Sequence, residues 1–174
     1  MTTHPNLPEV PDGPSEVTFD ARLDKKITET LKRYPNQRAA LLPTLWLCQE
    51  RFGWISPGVM RAVAARLGES PAYVEGVVTF YTMFRTRPPA RYVLQVCRTL
   101  SCAVCGGKEL LEHLTRTLGI AVGERTPDGL FELQAVECLG ACGSAPVIQI
   151  NDDYYENMSP EKIDAVLAEL GKKE

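Results

Sequence analysis

Two short loops hold four cysteines at spacings that suit chemistry. Cys97 and Cys102 bracket four residues in CRTLSC, and Cys138 and Cys142 bracket three in CLGAC. Only Leu, Gly, Ala and Ser surround the second pair, so no charged neighbour activates a thiol there. Such pairs serve as disulfides, zinc ligands, a redox dithiol or the ligands of an iron–sulfur cluster. The 174 residues contain six cysteines in all, the others being Cys48 and Cys105, and two histidines, His4 and His113. Any metal site is therefore built almost wholly of thiolates. The N-terminus, MTTHPNLPEV, has neither the basic region nor the apolar stretch of a secretory signal. The expected compartment is reducing, where clustered cysteines more often mean metal or redox chemistry than structural bridges.

The elements that must position these thiols follow from periodicity and punctuation. Residues 1–17 carry Pro5, Pro8, Pro11 and Pro14 among few apolar residues, the pattern of a mobile extended tail. Residues 18–85 read as a small helical bundle. Phe19, Leu23, Ile27 and Leu31 recur at helical spacing, and a second helix is predicted over Arg38–Phe52 with Gly53 as its stop. Ser56-Pro57 and Ser70-Pro71 each place a capping hydroxyl before a first-turn proline and open helices to Leu67 and Tyr81. Trp46, Phe52, Trp54, Phe80, Tyr81 and Phe84 are expected in core or inter-domain packing.

After the linker-like RTRPPA of residues 85–90 the texture changes, and residues 86–174 form a second domain. Strands are predicted over Tyr92–Val96, Phe131–Val136 and Val147–Ile150, with a crossover helix over Gly107–Leu118 and a turn at Thr126–Gly129. Asn151-Asp152-Asp153 turns the chain toward Tyr154-Tyr155, and Ser159-Pro160 opens a last helix to Leu170. The fold class is thus α+β: a helical bundle followed by a small α/β domain.

A crossover helix makes the strands it joins parallel, so their C-terminal ends share one edge of the sheet. Cys97 ends the first of these strands and Cys138 the second, which brings CRTLSC and CLGAC face to face. Four thiols then suit either tetrahedral zinc or a [2Fe–2S] cluster, whose irons take two thiolates each. The small residues of both loops let backbone N–H groups approach the sulfurs, which favours a cluster without excluding zinc. Cys105 extends the first pair to the C-x4-C-x2-C run of plant-type ferredoxins, and with Cys102 it forms a C-x-x-C. Neither pattern accounts for the C-x3-C loop, and Cys105 is expected as a small residue before the crossover helix. Cys48 is expected in the core, and His113 as a solvated helix residue, leaving no second histidine for a Rieske centre.

Several function classes are excluded. A net charge of −3 gives no electrostatic support for nucleic-acid binding. The longest apolar run, near Ala39–Cys48, is too short to cross a bilayer. No glycine-rich phosphate loop and no nucleophile–base set is present. A one-electron carrier of this kind meets its donor as another protein.

VCRTLSC at 96–102 and VECLGACGSAPVIQINDDYYE at 136–156 resemble the small thioredoxin-like [2Fe–2S] subunit of NADH:quinone oxidoreductase, the respiratory complex I. RAALLPTLWLCQERFGWIS at 38–56 and VVTFYTMF at 77–84 resemble that family's helical N-terminal part. The resemblance spans about Phe19 to Leu170. It implies a thioredoxin-like second domain and one cluster held by Cys97, Cys102, Cys138 and Cys142, with Ala141 and Gly143 as candidates for tuning it. It also implies a flavoprotein partner that binds FMN and oxidises NADH, further iron–sulfur subunits, and a cytoplasmic position on the inner face of the cell membrane through the complex. The same pattern occurs in NAD-linked hydrogenases and formate dehydrogenases. Cys105 departs from the family's usual four-cysteine pattern.

Overall fold

Four helices begin at a side chain that accepts the backbone N–H three residues on. Asp20 accepts from Leu23 at 2.8 Å, Ser56 from Val59 and Ser70 from Tyr73 at 3.2 Å each, and Ser159 from Lys162 at 3.4 Å. Each such bond satisfies one otherwise orphaned donor and contributes about 1 kcal/mol. In this computed structural model, which describes residue 13 and residues 16–172, the three Ser-Pro starts expected from the sequence all cap helices. The tail expected over 1–17 otherwise lies outside the described residues.

The chain divides into two compact units, Met1–Pro88 and Pro89–Glu174. The first holds α1 (Ala21–Leu31), a 3-10 turn (Arg38–Ala40), α2 (Leu41–Phe52), α3 (Pro57–Leu67) and α4 (Pro71–Phe80). Gly53 ends α2 and Gly68 ends α3, both in the left-handed region that a side chain would resist. Leu23, Ile27, Leu45, Ile55, Val63, Val74 and Val78 interlock in the core. Phe84 is buried with them, but Phe80 is 76% exposed and Trp46 and Tyr81 are exposed as well. Phe80 stands two residues beyond Val78, which turns it about 200° around α4 from the buried face. That departs from the packing role expected for these aromatics.

The second unit holds β1 (Tyr92–Cys97), α5 (Leu100–Val104), α6 (Gly107–Leu118), β2 (Phe131–Val136), a 3-10 turn (Cys142–Ser144), β3 (Ile148–Ile150), β4 (Asp153–Tyr155) and α7 (Pro160–Leu170). The sheet order is β2-β1-β3-β4, with β1 and β2 parallel and the β3–β4 hairpin antiparallel to β1. Leu94, Val96, Leu133, Ile148 and Ile150 from the sheet pack against Leu110 and Leu114 of α6 and Ile163 and Leu167 of α7. His113 is not the solvated residue expected. Its Nε2 lies 2.7 Å from Asp164 Oδ1 and its side chain is 21% exposed, so it joins α6 to α7.

Cys48 occupies the first unit's core as expected. It is fully buried, and burial pushes its thiol up to about 12. At pH 8 we expect iodoacetamide to label Cys105 rapidly and Cys48 only as the unit unfolds, by mass spectrometry of the native and urea-treated protein.

Candidate metal centre

The parallel register runs from Tyr92 opposite Phe131 to Cys97 opposite Val136. Both strands therefore release their chains at one edge, and the Arg98 N–H still bonds the Val136 carbonyl at 3.0 Å. CRTLSC leaves from β1 and CLGAC from β2, two residues after its end. Across the gap Arg98 Nε and Nη2 both reach Glu137 Oε1, at 2.9 and 2.5 Å. This exposed ion pair adds about 0–1 kcal/mol and ties the mouths of the two loops.

CRTLSC is not the open loop the sequence implied. After Thr99 it coils into the short helix α5, which carries Cys102 inward while Leu100 and Val104 face out. Five residues carry too little periodicity to announce a helix. Cys97 and Cys102 are buried, and they form a small apolar nest with Val147, Leu139, Ala141 and Ala145. Cys138 and Cys142 are exposed, with their Sγ atoms 3.4 Å apart. The four thiols thus stand as an inner and an outer pair, and each member interacts electrostatically with one or more of the other pair. Cys105 is exposed at the C-terminal cap of α5, beside the crossover helix as expected.

Dipoles rather than charges surround the sulfurs. Burial opposes ionisation of Cys97, but hydrogen bonds from the Thr99 hydroxyl and from the Thr99 and Leu139 N–H groups outweigh it and lower its pKa. The Gly140 N–H, 3.4 Å from Cys138 Sγ, is foremost in lowering that thiol, with Cys142 and Thr99 adding to it. Burial and the neighbouring Cys97 push Cys102 up to about 11, while Cys138 holds Cys142 above its ordinary value. One thiol of each pair therefore ionises ahead of its partner. Gly140, at φ 82°, donates to Cys138 within the loop, whereas Ala141 packs in the apolar nest and Gly143 faces open space.

Two residues that sequence reasoning passed over hold the loops in place. Tyr154 Oη donates to the Leu139 carbonyl at 3.0 Å and pins the tip of CLGAC. Gly107 opens α6 against the first loop. A Cβ there would sit 2.8 Å from the Cys102 carbonyl oxygen and 3.2 Å from that of Cys97. A lone glycine before a helix reads as a cap in sequence, and only the fold reveals this approach.

The donor set suits a two-iron cluster. Four sulfurs stand two by two, and backbone N–H and hydroxyl groups point at them. Among the described residues no three His, Cys, Asp or Glu side chains gather as a single-ion site.

Comparison with known proteins follows the same line. Residues 27–171 match the model of the thioredoxin-like [2Fe-2S] ferredoxin family. An NADH-quinone oxidoreductase subunit of Rhizobium meliloti is 46% identical over 82% of this chain and 85% of its own. One from Thermus thermophilus is 46% identical over 87% and 85%. Another, from Aquifex aeolicus, is 38% identical over 88% and 96%. In fold, the chain is similar to part of an NAD+-reducing [NiFe]-hydrogenase, with a TM-score of 0.68 at 22% identity over 76% of this chain and 23% of that one.

Gly107→Ala gains about 1 kcal/mol of helix propensity but forces backbone atoms of Cys97 and Cys102 to move. We expect the clash to prevail, with less than half the wild-type iron retained per chain and a melting temperature lowered by several degrees. Iron analysis and calorimetry check this.

Proposed function

The chain belongs to the thioredoxin-like [2Fe-2S] ferredoxin family, and from that membership we propose that it is the electron-transfer subunit of an NADH:quinone oxidoreductase. Cys97, Cys102, Cys138 and Cys142 would hold one [2Fe–2S] cluster. The partner is a flavoprotein that oxidises NADH on FMN, within an assembly of further iron–sulfur subunits. The observation that carries this reading is the meeting of the two cysteine pairs at one sheet edge, among N–H and hydroxyl donors.

When bound, such a cluster supplies a one-electron couple, so that a two-electron donor can feed carriers that take single electrons. The residues of the chain do the rest. Cys97 and Cys102 anchor the inner side away from water, which limits hydrolysis of the thiolate bonds. The Gly140 and Leu139 N–H groups hold negative charge on sulfur without a competing counter-ion. Arg98 and Glu137 keep the two loops in register.

The exposed pair gives the site a way out. Leu100 and Val104 stand four residues apart on α5, 80% and 78% exposed, and α5 packs against the Cys142–Ser144 turn. We place the flavoprotein on this edge, where electrons cross the shortest path to the outer cysteines. Among the described residues no helix is long and apolar enough to cross a membrane; the attachment proposed is to the cytoplasmic face through other subunits. Relatives at 46% identity favour the quinone-linked assembly, whereas the likeness to the hydrogenase is one of fold.

The purified chain should be reddish-brown, with about two irons per chain. Cys97→Ser, Cys102→Ser, Cys138→Ser and Cys142→Ser should each lose or alter the visible spectrum, and Cys105→Ser should not. A colourless, zinc-containing protein would sink the reading, and a spectrum lost with Cys105→Ser but kept with Cys142→Ser would reassign the ligands. Val104→Asp should leave the spectrum intact and weaken recovery with the flavoprotein about tenfold, the scale of one interface anchor.

A further inference from the structure

Thr99 occupies the N-cap position of α5 in extended backbone, φ −81° and ψ 171°, yet its hydroxyl caps nothing. The capping side chains of α1, α3, α4 and α7 all accept an N–H from their own helix. A forgone cap costs about 1 kcal/mol, so the hydroxyl must be held elsewhere. It lies 3.2 Å from Cys97 Sγ, a member of the inner pair.

The direction of that contact follows from ligation. A ligating cysteine carries no proton, so in the loaded protein the hydroxyl alone can donate. A hydrogen bond to a thiolate strengthens as negative charge on the sulfur grows. The reduced state carries one more electron than the oxidised one, and donors to ligand sulfur are among the levers on such potentials. Gly140 and Leu139 act on the sulfurs through backbone N–H groups and Ser101 through its hydroxyl on the outer Cys142, whereas Thr99 is a side chain that reaches the inner Cys97.

We propose that Thr99 is a positioning residue that raises the reduction potential of the centre by donating its hydroxyl hydrogen to Cys97 Sγ. The electron is the one delivered by the reduced flavin of the partner, and the hydroxyl keeps its proton throughout. This rests on the ligand set proposed above.

The test is a reductive titration of the purified, cluster-loaded chain, followed by visible absorption and electron paramagnetic resonance. Thr99→Val replaces the hydroxyl by a methyl of similar size. It should keep full iron and wild-type melting while shifting the reduction equilibrium toward the oxidised state on the order of tenfold, which is about 59 mV for a one-electron couple. Thr99→Ser should return most of that shift. An unchanged midpoint in fully loaded Thr99→Val overturns the proposal, and so does a Thr99→Ser midpoint equal to that of the valine variant. Should Thr99→Val lose its iron, Thr99→Ala is titrated by the same criterion. Loss of iron in both assigns the hydroxyl to retaining the centre and overturns its role in the potential. A wild-type chain without iron would instead overturn the ligand reading, so the two failures are distinguishable.

Discussion

Everything at the metal centre depends on the parallel pairing of β1 with β2. Antiparallel neighbours would release CRTLSC and CLGAC at opposite ends of strands about 20 Å long. In the observed register Cys97 faces Val136, so the loops start side by side and need only a few residues to bring four sulfurs together. The crossover through α6 enforces this direction, and the packing of Leu110 and Leu114 beneath the sheet secures α6. The hydrophobic core of the second unit and the geometry of its thiols are therefore one problem. A loosened α6 would disturb Gly107, and through it the carbonyls of Cys97 and Cys102.

The surroundings of the sulfurs show how small residues achieve what charges would do badly. A lysine or arginine beside the cysteines would stabilise a free thiolate, but it would also compete for water and repel iron. Here the donors are N–H groups and the hydroxyls of Thr99 and Ser101, fixed by the turn at Gly140 and the start of α5. The charges at the mouths of the loops, Arg98 and Glu137, neutralise one another at the rim.

How much of this was legible in the sequence depends on the range of the interaction. The Ser-Pro starts, the crossover helix and the β2 strand were readable because caps and periodicity act over a few residues. The meeting of the two cysteine loops was readable through one topological rule. The resemblance to a known subunit then narrowed the ligand chemistry beyond what spacing could do. Contacts set by tertiary approach were not readable. Gly107 looks like any helix-opening glycine until a Cβ is placed on it. Thr99 looks like an ordinary cap, and Tyr154 like a hairpin residue, until their hydroxyls are seen to turn elsewhere. Phe80 was expected in core or inter-domain packing because large aromatics usually pack, whereas its position on α4 leaves it 76% exposed.

The unequal burial of the two thiol pairs also prescribes an order of events in the life of the protein. Cys97 and Cys102 lie behind the apolar nest, while Cys138 and Cys142 form its doorway. On the proposed ligand set, iron and sulfide reach the buried inner cysteines past the exposed outer ones. On the proposed reading the flavoprotein settles over the same edge and shuts it. On that reading the centre is filled before the subunit joins its partner.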